Sequence, residues 1–212
     1  MSPVPLPACS GPPATDAALR RVVAAVALMN LAYFGVEVSV ALAIGSVSLL
    51  ADSIDFLEDA SLNLLILVAL GWSAPARARL GMLLAAILLV PGVATLWSAW
   101  AKFHEPLPPA PVALSLAGAG ALAVNLACAL MLARLRTHAG SLTRAAFLSA
   151  RNDAVANLAI VAAGLVTAAT RSAWPDLVTG LAIAAVNAGA AREVFVAARR
   201  EHRAARGKEV PP

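Results

Sequence analysis

Residues 45–63 read GSVSLLADSIDFLEDASLN, a mostly apolar stretch that carries four acids. The acids are Asp52, Asp55, Glu58 and Asp59. They lie within a longer apolar window, residues 47–72, which is long enough for a helix to cross a hydrocarbon core of about 30 Å. An ionisable side chain inside a spanning helix is costly, so it is expected to face the interior of a helix bundle and to mark a functional site.

Five more windows of mostly apolar residues share this length, and the six together account for most of the chain. The others cover residues 22–44, 80–101, 112–133, 145–170 and 175–197. The chain of 212 residues is 60% hydrophobic and only 13% charged, whereas average proteins carry about 25% charged residues. The runs are continuous and rich in Ala and Leu, which favours helices over the short alternating strands of a barrel. We therefore predict an all-α membrane protein, a six-transmembrane-helix bundle.

The positive charges predict the orientation and the domain organisation. Lys and Arg flanking short loops are retained on the cytoplasmic side, and here they cluster before helix 1, after helices 2 and 4, and in the tail. The opposite side shows only Lys102 and Arg171, so both termini are expected in the cytoplasm. We expect residues 1–19 to be a disordered cytoplasmic segment, residues 20–198 the transmembrane domain and residues 199–212 a basic cytoplasmic tail. Scarce Lys beside abundant Ala and Arg hints at a GC-rich bacterial genome, which makes a bacterial inner membrane the expected location.

Other classes of function find little support in the sequence. It has no nucleophile-elbow, zinc-protease, P-loop or dinucleotide-binding motif, so neither an enzyme nor an organic cofactor is expected. The basic residues follow the topology, which argues against nucleic-acid binding. Cys9 and Cys128 lack the paired spacing of a metal or redox motif.

The acids of the second helix are expected to differ in role. Asp52, Asp55 and Asp59 are spaced i, i+3 and i+7 and share a helical face, whereas Glu58 points roughly 100° away from Asp59. Asp55 and Asp59 are the predicted metal-ligand pair. For Asp52, stabilisation of the helix N-terminus and participation in the metal-binding site are equally expected roles. Glu58 is expected to have a structural role in an ion pair, for which Arg151 is one candidate partner.

The fifth helix supplies a second polar face. Asp153 lies there, with Ser149 one turn before it and Asn157 one turn after it. At ~1.5 Å per residue, Asp55 and Asp59 lie about 12–18 Å from the outer face and Asp153 about 16 Å from the cytoplasmic face. Both groups therefore reach the middle of the membrane. Ser149 is the fourth candidate ligand, unless its hydroxyl bonds to its own backbone.

Such a site has a definite chemistry. Clustered carboxylates in a medium of low dielectric are stable only when they are protonated or when a cation neutralises them. A divalent metal ion and protons then compete for the same oxygens, which is the physical basis of metal/proton antiport. Glu37 in the first helix is a further acid, and weaker evidence, because it stands alone in its helix.

The string GSVSLLADSIDFLED (residues 45–59) resembles the second-helix motif of the cation diffusion facilitator family. Asp55 and Asp59 fall at the positions of that family's DxxxD or HxxxD metal ligands. SARNDAVANLAIVAAG (residues 149–164) and WPDLVTGLAIAAVNA (residues 174–188) resemble its fifth and sixth helices. The resemblance covers all six helices in order. It implies proton-driven efflux of a divalent metal ion, usually by a homodimer, through a site between helices 2 and 5.

One departure from the family pattern concerns the metal. Zinc-transporting members carry HxxxD in helix 5, but the position four before Asp153 is Ser149, so no imidazole is present there. Carboxylate, hydroxyl and amide oxygens suit Mn²⁺, Fe²⁺ or Mg²⁺ as well as Zn²⁺ or Cd²⁺. The resemblance instead favours zinc, cobalt or cadmium, and zinc is slightly preferred.

A second departure is length. The family's cytoplasmic C-terminal domain is expected to be absent, because few residues follow helix 6. A homodimer would then be held by the membrane helices, where small residues allow close packing. The candidate packing residues are Gly118, Gly120, Gly180 and Gly189.

The departures also support a second hypothesis, a degenerate relative that does not transport and acts as a membrane partner or scaffold. The retained Asp55, Asp59 and Asp153 argue against it, since such a protein gains nothing from costly intramembrane acids. A transporter of an organic cation would need aromatic side chains near the midplane, where Phe56 and Phe147 stand almost alone.

Overall fold

The computed structural model describes residues 13–69, 74–133 and 140–187, and the elements there are helices. They are α1 (Pro13–Ile44), α2 (Val47–Ala69), α3 (Ala74–His104), α4 (Pro111–Ala133), α5 (Gly140–Thr170) and α6, which covers residues 174–187 of the described chain. The all-α fold with six helices in the predicted order is confirmed. Residues 1–12, the predicted basic tail and the end of the predicted sixth helix lie outside the described residues.

Three helical stretches in the described chain are long and apolar enough to cross a membrane. They are Ala17–Ile44, Pro111–Ala133 and Ala150–Thr170. α2 does not meet the same criterion, because any 18-residue window within it contains its four acids. The described part of α6 is too short for the same comparison.

α1 begins earlier than the sequence predicts. Residues 13–19 were expected to belong to a disordered segment, but they form the first turns of α1. Proline is compatible with the first helical position, because the N–H group that it lacks has no intrahelical partner there. Pro13 is therefore compatible with the start of α1.

α1 and α2 are joined by a tight turn. Gly45 has a φ of 65°, in the left-handed region that glycine adopts without strain. The N–H of Ser46 donates to the carbonyl oxygen of Ala41 at 2.9 Å, as in the Schellman motif that ends many helices. The hydroxyl oxygen of Ser46 then accepts a hydrogen bond from the N–H of Leu49 at 3.2 Å, so Ser46 caps the start of α2.

α2 lies at the centre of the bundle, where it contacts α1, α3, α4 and α5, while α4 and α5 form the other closely packed pair. One apolar cluster joins these helices near the α1–α2 turn and includes Leu49, Leu50, Leu114 and Ile160. A second cluster towards the other end includes Val26 and Cys128. The middle of α2 lies between them along the helix, and that is where its acids are located.

The first turn of α2 is capped by a carboxylate from another helix. Asp176 of α6 accepts hydrogen bonds from the backbone N–H groups of Val47 (3.0 Å) and Ser48 (3.1 Å). It also accepts from the hydroxyl groups of Ser46 and Ser48, each at 2.6 Å. Lys102, in the last turn of α3, donates its Nζ to the same carboxylate at 2.7 Å, and both side chains are buried. One carboxylate thus links the ends of α2, α3 and α6.

α6 approaches α2 backbone to backbone one turn beyond Asp176. A Cβ atom added to Gly180 would lie 2.7 Å from the carbonyl carbon of Val47 and 2.8 Å from the amide nitrogen of Ser48. Such distances are far below van der Waals contact. Glycine at this position therefore permits the close approach that lets Asp176 reach the first turn of α2.

Replacing Lys102 by Met leaves the Asp176 carboxylate buried without its cationic partner. We expect a loss of roughly 3–5 kcal/mol in the free energy of unfolding, measured as a lower midpoint of thermal unfolding in detergent. The double variant Lys102→Met with Asp176→Asn removes both charges and should recover part of that loss. An unchanged midpoint in Lys102→Met would show that the ion pair does not stabilise the fold.

Replacing Gly180 by Ala should also lower the unfolding midpoint, because the methyl group meets the backbone of α2. Overpacking of this kind costs about 1–3 kcal/mol. Gly35→Ala in α1 is the matched control, since nothing lies within 4 Å of the position its Cβ would take. The control should have an unchanged or higher midpoint, because alanine favours the helix. Equal losses in both variants would contradict the backbone contact at Gly180.

Candidate metal-binding site

The acids of α2 divide between the interior and the surface of the bundle. Asp52, Asp55 and Asp59 are buried, whereas Glu58 is exposed. The helical spacing indicates the same division. Three carboxyl groups of α2 therefore face neighbouring helices, while Glu58 faces away from them.

α5 meets this face of α2 through an amide. Nδ2 of Asn157 donates to Oδ1 of Asp52 at 3.2 Å and to the carbonyl oxygen of Asp153 at 2.6 Å. Asp153 itself is half-buried. Its carboxyl group lies near enough to those of Asp52, Asp55 and Asp59 to interact with them electrostatically. The polar faces predicted for helices 2 and 5 thus face each other.

α1 contributes a fourth buried acid, Glu37. Its side chain is fully buried beside Asp52, and neither of its carboxyl oxygens accepts a hydrogen bond from the described residues. Two ionised carboxylates offer each other no donor. The pair Glu37 and Asp52 is therefore satisfied only by a shared proton or by a cation.

α6 supplies a second amide. Nδ2 of Asn187 donates to Oδ1 of Asp55, and the Asn187 side chain is partly buried. The sequence analysis did not single out this residue, although it is the one amide in a run from Leu177 to Asn187 that is otherwise apolar apart from Thr179. Each of the two acids Asp52 and Asp55 thus has one amide donor from a different helix.

The predicted ligands are neighbours rather than a closed cluster. Within residues 13–69, 74–133 and 140–187, no three His, Cys, Asp or Glu side chains are grouped closely enough to hold a metal ion. Ser149 lies in α5, but its side chain is outside the described part of the structure. Asp55, Asp59 and Asp153 therefore line a common interior without converging on one point.

The described residues around the site include no positive side chain that neutralises it. In the described part of the chain, no Lys or Arg forms a salt bridge with Asp52, Asp55 or Asp153. Arg151, a candidate partner for an intramembrane acid, is exposed. Among the described side chains, the amides of Asn157 and Asn187 donate to the carboxyl groups of Asp52 and Asp55.

The family model of the cation efflux transmembrane domain matches residues 23–201. The chain belongs to the cation efflux family. The match begins in α1 and extends past the described end of α6, so it covers every helix of the bundle. The resemblance to the cation diffusion facilitators is thereby confirmed.

Cation efflux proteins are transporters of metal cations in membranes, not enzymes. The buried acids of α2 and α5 therefore belong to an integral membrane protein of a metal-transporting family. No curated protein gave a significant match to the chain.

Replacing Asn157 by Leu removes the amide donor to Asp52 and leaves a buried acceptor without its partner. We expect a loss of about 1–3 kcal/mol in stability, seen as a lower midpoint of thermal unfolding in detergent. Asn152→Leu is the matched control, because Asn152 is an exposed amide on the same helix. Similar midpoints for the two variants would show that the bond from Asn157 to Asp52 does not stabilise the bundle.

Proposed function

We propose that this protein exports a divalent metal ion in exchange for protons, using Asp55 and Asp59 of α2 and Asp153 of α5 as ligands. The hydroxyl of Ser149 is proposed as a further oxygen ligand. Membership of the cation efflux family supports metal-cation transport in general. The particular site and the coupling to protons rest on the side chains.

The observation that carries the proposal is the buried, uncompensated negative charge between α2 and α5. Asp52 and Asp55 are buried, Asp153 lies beside them, and none of the three forms a salt bridge with a described Lys or Arg. An isolated ionised carboxylate is strongly disfavoured in such a medium. The site must therefore hold protons or a cation, and exchange of one for the other is the transport cycle that we propose.

The electrostatics favour a doubly charged ion over a singly charged one. A dication neutralises two carboxylates at once, whereas each proton neutralises one. Binding of the metal ion therefore displaces protons from the same oxygens, and protonation weakens metal binding. A proton gradient directed against the metal flux supplies the driving force in this scheme.

The metal is proposed as zinc first, with cadmium, cobalt, manganese and iron as the other candidates. Family resemblance favours zinc, cobalt or cadmium. The oxygen ligands Asp55, Asp59, Asp153 and Ser149 accept harder ions equally well. For this reason one experiment should compare the five ions.

We also propose that both termini lie in the cytoplasm, that the membrane is a bacterial inner membrane and that the protein forms a homodimer through its membrane helices. Three of the glycines proposed for close packing are already used within the chain, and one of them is Gly180, which packs on the backbone of α2. A Cβ at Gly118 would meet Ile160, and one at Gly120 would meet Tyr33. Gly189 lies outside the described residues. The exposed apolar faces of α3 and α4, which include Val93, Leu96, Leu116 and Leu130, are further candidate surfaces for a dimer.

Transport by the protein in liposomes tests the proposal directly. Uptake of Zn²⁺, Cd²⁺, Co²⁺, Mn²⁺ and Fe²⁺ is measured with and without an imposed pH gradient. We expect at least one ion to enter at a rate that falls when the gradient is collapsed. Asp55→Asn and Asp153→Asn should each reduce that uptake to background, because each removes a ligand charge while keeping the side-chain size.

Glu58→Gln is the control for these variants, because Glu58 lies in the same helix and is exposed. It should transport close to the rate of the unmodified protein. Normal uptake by Asp153→Asn would contradict the proposed site. Absence of uptake for every ion, from protein that remains folded, would instead favour the non-transporting partner or scaffold.

A further inference from the structure

Asn187 of α6 stands next to a proposed metal ligand although neither α2 nor α5 supplies it. Its Nδ2 donates to Oδ1 of Asp55, so the two side chains are in direct contact. The amide nitrogen therefore faces Asp55, and Oδ1 of Asp55 is the acceptor. α6 therefore contributes a polar group to the interior where the acids of α2 and α5 lie.

The position of Asn187 along the bundle supports this assignment independently. Asp176 and Val47 are in contact at one end of the bundle. At ~1.5 Å per residue, Asn187 lies about 16 Å along α6 from Asp176, and Asp55 lies about 12 Å along α2 from Val47. The two depths agree to within about 4 Å, a difference that two side chains can span, so their hydrogen bond fits the packing of α6 on α2.

The presence of the polar Asn187 in the apolar helix α6 also requires an explanation. From Leu177 to Asn187 the helix is apolar apart from Thr179. Polar side chains within a membrane are costly and face the bundle interior or a cavity. In the described structure the Asn187 amide donates to Asp55, and this hydrogen bond offsets the free-energy cost of burying the amide in the membrane.

We propose that Asn187 is a specificity-determining residue of the metal-binding site, which holds Asp55 in the empty site and presents its own Oδ1 to the bound ion. This inference rests on the proposed function. A carboxamide carries a donor and an acceptor on one carbon. Half a turn about its Cβ–Cγ bond exchanges Nδ2 for Oδ1 at the position that faces Asp55.

The exchange follows from the charge at the site. In the absence of a metal ion Oδ1 of Asp55 accepts a hydrogen bond from the positive end of the amide dipole, whether or not the other carboxyl oxygen carries a proton. A bound dication on the same carboxylate repels that end and attracts the oxygen. An amide oxygen is a ligand of the kind that hard ions prefer, whereas cadmium prefers softer ligands. Asn187 therefore biases the site towards harder ions such as Mn²⁺.

Equilibrium binding of Mn²⁺ and Cd²⁺ to the full chain in detergent tests this bias. Asn187→Leu keeps the approximate volume of the side chain and removes its oxygen. We expect its Kd for Mn²⁺ to rise about tenfold, within the range that supporting residues of metal sites contribute, and its Kd for Cd²⁺ to change much less. Thr179→Val, a conservative change on the same helix, should leave both values unchanged.

Asn187→Cys provides a second readout that a purely structural role would not produce. A thiolate at this position should lower the Kd for Cd²⁺ and add an ultraviolet charge-transfer band between sulfur and cadmium. Thr179→Cys is the matched control and should add no band beyond that of the unmodified protein. The control also contains Cys9 and Cys128, so their contribution is subtracted.

The outcomes separate the inference from the function on which it rests. Equal changes of Kd for both ions in Asn187→Leu, or no added band in Asn187→Cys, overturn the inference alone. An unmodified protein that binds neither ion overturns both. Selective loss of Mn²⁺ binding together with the added cadmium band supports Asn187 as a ligand, whatever the liposome assay shows for transport.

Discussion

The free-energy cost of placing carboxyl groups within a membrane constrains every helix around α2. Asp52, Asp55 and Asp59 share one face of α2, and a helix with such a face is stable in a membrane only if other helices cover it. α1, α4, α5 and α6 lie around this helix, and two of them supply amide donors to its acids. The apolar clusters lie on either side of the acids along α2, so they fix its depth while the polar middle remains enclosed.

Two buried acids of the bundle show how differently a carboxyl group is used. Asp176 accepts five hydrogen bonds, one of them from Lys102, and so its charge and its acceptor capacity are both satisfied. Asp52 accepts one hydrogen bond from an amide and has the carboxyl group of Glu37 beside it. A carboxylate can accept about four hydrogen bonds. Asp176 is thus saturated, as a structural acid should be, while Asp52 retains acceptors for a proton or a cation.

Local sequence patterns predicted the elements, because helix length and helical spacing depend on neighbouring residues. Each of the six windows coincides with one helix as far as the chain is described, and the spacing of the acids separated buried Asp55 and Asp59 from exposed Glu58. The start of α1 was predicted too late, since proline-rich residues were read as disordered although a helix accepts proline in its first turn.

Contacts between distant segments had no such local signal. Lys102 was counted only as a charge between two helices, and its partner Asp176 is 74 residues away. An acid near the start of a helix is ordinarily explained by its own helix dipole, so nothing in the sequence showed that Asp176 caps α2. Asn187 was missed for a related reason. The contact between Asn187 and Asp55 depends on how closely α6 packs on α2, and Gly180 permits that close packing.

Amides rather than cations as partners of Asp52 and Asp55 suit the exchange of a metal ion for protons that we propose. A Lys or Arg beside Asp52 or Asp55 would neutralise the carboxylate permanently and would compete with a metal ion for it. An amide orients the carboxylate by a hydrogen bond but leaves its negative charge in place. Asn157 and Asn187 therefore keep two carboxylates aligned and still attractive to a dication. The buried cation of the described bundle, Lys102, lies instead at the cap of α2, where permanent neutralisation stabilises the fold and no exchange is required.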